Sequence, residues 1–108
     1  MFPDAVAVCS NSRDTHHGKI CTYIPSTCSY SLPYRMLLPQ GVDNLLAAGR
    51  CVSCSRPVLS AIRVMPPCFA LGQAAGNAAV LALDSGVAPR DIDTDELRER
   101  LKAENVVL

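Results

Sequence analysis

The chain has 108 residues, ten acidic and ten basic, with a mean hydropathy of +0.19. Hydrophobic residues make up 49% and charged residues 19%, which excludes a disordered chain and suits one small domain with its own core. Balanced charge and an aromatic content of 5% leave neither a basic block nor a stacking platform, so nucleic-acid binding is not expected.

The start, MFPDAVAVCS, has no basic n-region and no long apolar stretch, so no secretory signal and a cytoplasmic location are expected. The six cysteines, at 9, 21, 28, 51, 54 and 68, then read as reduced thiols rather than a disulfide framework. Residues 5–8 form a candidate strand. Residues 11–19 are polar and turn-like and hold His16 and His17, and 20–34 read as extended chain with turns. Residues 34–38 predict a short strand ended by Pro39, 40–43 a turn, and 44–48 a buried strand closed by Gly49. Residues 51–59 read as a loop broken by Pro57, and 60–65 as the next extended run.

A long helix is expected over 67–85, started by Pro66-Pro67 and ended by Gly86. The amides of Cys68, Phe69 and Ala70 are expected to project from its start. With the helix dipole they would favour negative charge or an electron-rich ring. Gly72 and Gly76 weaken the helix by roughly 1 kcal/mol each relative to Ala, so close approach of another backbone or a flat ligand is expected there. The longest apolar segment, 68–83, is interrupted by Gln73 and Asn77 and falls short of the ~20 residues that span a bilayer, so it predicts a buried helix and no membrane. A second helix is capped by Asp93 with Glu96 three positions on, stapled by Ile92 and Leu97, and striped by Leu97 and Leu101. Val106, Val107 and Leu108 form an apolar tail that must dock. The long helix is apolar or small nearly all round, and the rest of the chain offers little to cover it. A larger parent protein or a partner is therefore expected.

At these residues a family resemblance appears. NLLAAGR at 44–50, followed by SAIRVMPPCFALGQAAGNAAVLAL at 60–83, resembles the C-terminal section of bacterial-type FAD-dependent oxidoreductases. FPDAVAV at 2–8, the pair Asp14-x-His16, LPYRMLLPQGVDNLL at 32–46 and VAPRDIDTDELRERLKAENVVL at 87–108 keep that family's order. The resemblance implies an α/β fold: the C-terminal portion of a Rossmann-like FAD-binding domain, with a few short strands, the long Ala/Gly-rich helix and a short C-terminal helix. Residues 1–34 would be irregular and border a substrate domain, and 35–108 would return into the FAD domain. FAD is the implied cofactor, a small organic molecule the implied substrate, and the remainder of the FAD domain or parent enzyme the implied partner. The isolated chain would be inactive. No G-x-G-x-x-G is present, since Gly72-x-x-x-Gly76 lies in a helix at the wrong spacing.

By resemblance, Pro67, Cys68 and Phe69 at the helix start, with Gly72, meet the flavin. Gly49 and Arg50 approach its ribityl and phosphate part, although many relatives have an acidic residue where this chain has Arg50. Arg50 reads equally as a phosphate contact or a surface arginine. Arg63, in an apolar run, needs an anionic partner, either a substrate carboxylate or one within the protein, and Arg35 raises the same question. His16, with Asp14 beside it, is a candidate acid–base or substrate-orienting group. Gln73 and Asn77 read as a polar pair satisfied in the core, with hydrogen bonds to a strand edge, a loop or the flavin as the other readings. Cys51-x-x-Cys54 could be half a zinc site or a redox pair, but the other cysteines supply no second C-x-x-C and no metal is expected. Two rival readings stay open: a small cysteine-based zinc or thiol-redox module, and a non-catalytic fragment that folds on a partner.

Overall fold

The computed structural model describes residues 1–11 and 29–108. It holds β1 (Ala5–Cys9), β2 (Tyr30–Pro33), α1 (Arg56–Ile62), α2 (Met65–Ser85) and α3 (Thr94–Ala103), with short 3-10 turns at Tyr34–Leu37, Gly49–Cys51 and Pro89–Asp91. The architecture is mixed α/β, as expected. The strand foreseen near residues 5–8 is β1. It pairs antiparallel with β2, and the register shifts between Ala5 and Ala7. A two-stranded ribbon is marginal alone. Here α2 and α3 pack on β1, and Ala5, Val6 and Ala7 are each at most 1% exposed.

Three expected strands are corrected. Of residues 34–38, Tyr34–Leu37 form a 3-10 turn directly after Pro33, and Leu38 is its C-cap. The next amide, of Tyr34, donates to the Asp4 carbonyl at 2.7 Å, and the Tyr34 hydroxyl donates to the buried Pro89 carbonyl at 2.6 Å. Residues 44–48 are irregular rather than a buried strand. Leu45 is 51% exposed, the Ala47 amide donates to Leu37 O, and no strand among the described residues pairs with the segment. Residues 60–65 are not extended: α1 runs to Ile62, and after Arg63 and Val64 the chain enters α2 with a bend of 97°. Pro57, taken as a breaker within a 51–59 loop, sits in the first turn of α1, where its missing N–H costs nothing.

α2 begins two residues earlier than the double proline suggested and ends as expected at Gly86, in the left-handed region at φ 65°. Its buried positions, Pro67, Leu71, Ala74, Ala78, Leu81 and Ala82, repeat at three and four residues and form one stripe. α3 starts where Asp93 caps it. The carboxylate accepts from the amides of Asp95 and Glu96 at 2.9 and 3.3 Å, a contribution of about 1 kcal/mol. Leu97 and Leu101 are fully buried beneath it. The tail docks in part: Val106 and Leu108 pack against the core, and Val107 is 77% exposed.

Burial pushes the Tyr34 phenol up to about 12 from 10.0. A raised folded value means that the neutral phenol's contribution is complete below about pH 10 and is lost as pH rises toward about 12. Tyr34→Phe is therefore expected to cost about 1–3 kcal/mol at neutral pH by stranding the Pro89 carbonyl. It should also flatten the fall in stability across the alkaline window. Urea melts of both proteins at neutral and alkaline pH measure this, and an unchanged alkaline slope in the variant rules it out.

Candidate functional site

The sequence candidates meet where the turn Gly49–Cys51 abuts the bend between α1 and α2. Gly49 has φ +67°, and a Cβ there would stand 3.8 Å from both Cβ and Sγ of Cys68. The Cys68 thiol lies 3.7 Å from the Ile62 carbonyl as a weak donor. Arg50 donates from Nε to the carbonyl of Arg63 at 3.1 Å. Gly49, Arg50, Arg63 and Cys68 are thus one cluster. Pro67 points into the core, Phe69 is 72% exposed on the opposite side, and Gly72 is exposed beside it. His16, with Asp14 and His17, lies outside the described residues.

The donors at the helix start differ from expectation. Because α2 begins at Met65, Pro66 and Pro67 occupy its second and third positions, and the Cys68 amide is already bonded to the Val64 carbonyl at 3.3 Å. Phe69 and Ala70 follow inside the same ladder. The amides of Cys68, Phe69 and Ala70 are therefore not free. Among the first three helical residues only Met65 carries an N–H, because the prolines have none. A multi-amide cradle for phosphate is not formed, while the positive end of the helix dipole remains. Sequence reasoning missed Met65 because proline at the first position and proline at the second and third leave the same local signature.

Charge is segregated along this part of the chain. Residues 44–83 contain Arg50, Arg56 and Arg63 and no acid, whereas 84–108 contain seven acids and four bases. The start of α2 thus lies in the positive stretch. Arg63 is the half-buried C-cap of α1 rather than a strand residue. Arg35 has an internal partner: it pairs with Asp4 and stacks 4.6 Å from the Phe2 ring centroid. Gln73 and Asn77 are not a core pair. Both donate to the Glu104 carboxylate, at 2.6 and 3.1 Å, and tie α2 to the end of α3.

Opposite its buried stripe, α2 has a bare face. Met65, Phe69, Val80 and Leu83 are 69%, 72%, 51% and 81% exposed, and a Cβ at Gly72 or Gly76 would meet nothing within 4 Å. At 100° per residue these six positions share one side. The close packing expected at the two glycines is thus not supplied by the described residues of this chain. An apolar face of this extent, free of charge, marks a surface made to be covered.

The two thiols of Cys51-x-x-Cys54 open onto different cavities. Cys51 faces one of about 300 Å³ with Met36 and Pro39, and Cys54 one of about 410 Å³ between β2 and α1. Burial raises the Cys54 pKa, which favours the protonated thiol. Among the described residues no three His, Cys, Asp or Glu side chains group as a metal site. Among them, too, no single helix is long and apolar enough to cross a membrane.

A family model described as FAD dependent oxidoreductase matches residues 1–101. No curated protein and no solved structure matches the chain.

Proposed function

The chain belongs to the FAD-dependent oxidoreductase family, whose cofactor is FAD, and from that premise we propose that it is the C-terminal, returning part of a Rossmann-like FAD domain with the start of α2 facing the flavin. The observation that carries this reading is the surface around that helix start. The stretch 44–83 that supplies it contains no acid, it lies at the positive end of the dipole, and it continues into the smooth face of Met65, Phe69, Gly72 and Gly76. Such a surface fits the ring end of the cofactor. It does not fit the diphosphate, because the double proline removes the amide donors and no G-x-G-x-x-G is present. The diphosphate site belongs to the remainder of the FAD domain, which also covers the bare face of α2.

Bound FAD supplies two-electron redox chemistry toward a small organic substrate. This chain's residues would act on it by position and field. The dipole of α2 stabilises negative charge on the pyrimidine side of the ring, and the Met65 amide is the one first-turn donor able to meet a ring carbonyl. Met65 and Phe69 exclude water from that edge. In this proposal His16 is the acid–base or substrate-orienting group, and the enzyme works in the cytoplasm.

The test is an FAD titration of the chain followed by amide chemical shifts. Weak binding is expected, with shifts confined to Met65, Cys68, Phe69 and the Gly49–Cys51 turn, and Phe69→Asp should remove them. Tight stoichiometric binding, or shifts centred elsewhere, would contradict the reading.

A further inference from the structure

We infer that Arg50 is a positioning residue that aims the first turn of α2, rather than a ligand for the phosphates of FAD. The inference rests on the flavin reading above. Its warrant is the way the bend is held. α1 ends at Arg63 and α2 begins at Met65 after a 97° change of direction. A junction this sharp leaves the last carbonyls of α1 without backbone N–H partners in the helix that follows. Two of those carbonyls are answered from outside α1. The Arg63 carbonyl accepts from Arg50 Nε at 3.1 Å, and the Ile62 carbonyl lies 3.7 Å from the Cys68 thiol. The first contact comes from the turn Gly49–Cys51 and the second from α2 itself.

The same turn also touches α2 directly. The bare α-carbon of Gly49 faces Cys68 with room for no more than ordinary contact, at 3.8 Å from where a Cβ would stand. Gly49 holds φ +67°, a conformation that a side chain would strain. Turn, bend and helix start are therefore one unit, and Arg50 is the charged donor that closes it. α2 receives no side-chain cap from its N-cap residue, Val64. Its direction is therefore set by this latch and by Pro67 in the core.

The geometry at Nε separates two roles. A residue that serves as a cationic phosphate contact is replaced in part by lysine, a point charge of the same sign. A residue that latches a carbonyl through Nε while the arm lies along the turn is not, because lysine has no donor at that atom.

The experiment compares the wild-type chain with Arg50→Ala and Arg50→Lys by amide hydrogen exchange and by FAD titration read from amide shifts. Exchange at Arg63 and Cys68, whose amides donate to Leu59 O and Val64 O, is expected to accelerate by about tenfold or more in both variants. The FAD-dependent shifts at Met65 and Phe69 should shrink in parallel, with lysine giving no rescue. If Arg50→Lys restores both readouts, the residue acts by charge and the inference is overturned. Exchange that is unchanged in both variants, with FAD shifts lost, also overturns it and makes Arg50 a direct ligand. If the wild-type chain shows no FAD shifts at α2 while the exchange difference stands, the flavin reading fails instead, and Arg50 is left holding the bend alone.

Discussion

Gly76→Leu is expected to leave this chain at least as stable as before and to weaken its assembly into a flavin-loaded enzyme. The two effects have opposite signs because they arise on different sides of one helix. Gly76 has ordinary helical backbone, and a Cβ there would meet no atom within 4 Å. Replacing a helical glycine with a good helix former gains up to about 1 kcal/mol. The face that carries Gly76 is the one left bare along α2, beside Phe69, Val80 and Leu83. If the remainder of the FAD domain lies on that face, a leucine there acts as a wedge. Overpacking of about 1–3 kcal/mol then lowers the affinity by roughly tenfold to a hundredfold. Urea melts of the chain give the first effect. Flavin content of the enzyme assembled with the variant gives the second. Undiminished flavin content would mean that the bare face of α2 is not the surface that the rest of the enzyme covers.

Leu71→Ala is the largest expected loss of stability. Leu71 is fully buried in the middle of the α2 stripe that packs on β1. Removing it costs about 2–5 kcal/mol through lost burial and the cavity left behind. A domain of this size has on the order of 5–10 kcal/mol in all, so the loss takes from about a fifth to all of it. The two-stranded ribbon has no independent stability to fall back on. The variant is expected to lose a cooperative thermal transition near physiological temperature. Leu83→Ala on the same helix, where the side chain is 81% exposed, should change stability by no more than about 0.5 kcal/mol. Thermal and urea melts by circular dichroism compare the two. Equal costs would show that the helix does not bury the face assigned to it.

Much of the chain was legible because its signals are local. The Asp93 cap, the Leu97 and Leu101 stripe and the left-handed Gly86 each follow from a few adjacent residues whose backbone needs are met within one turn. The β1 strand also appeared where a short continuous apolar run precedes a polar stretch. The three misread strands share another property. Residues 34–38, 44–48 and 60–65 are short apolar runs of five or six residues, and periodicity over so short a run does not separate strand from turn or helix. What decided them lay far along the chain. For Tyr34 it was the carbonyl of Pro89, 55 residues away, and for the 44–48 run it was the lack of a pairing strand among the described residues.

The site divides in the same way. Sequence alone was enough to mark the double proline, the glycine pair, the AGR turn and the family that these residues resemble, because each motif is contiguous. It could not assign the donors. Whether a proline stands first or second in a helix depends on where the preceding chain bends, and that bend is set by packing across α1, the turn and α2. Tertiary structure therefore moved the first-turn donor to Met65, set Arg50 Nε against the carbonyl of Arg63, and tied Gln73 and Asn77 to Glu104 at the protein surface. Local backbone chemistry determined which elements can exist, and contacts between residues distant in sequence determined which atoms those elements leave free.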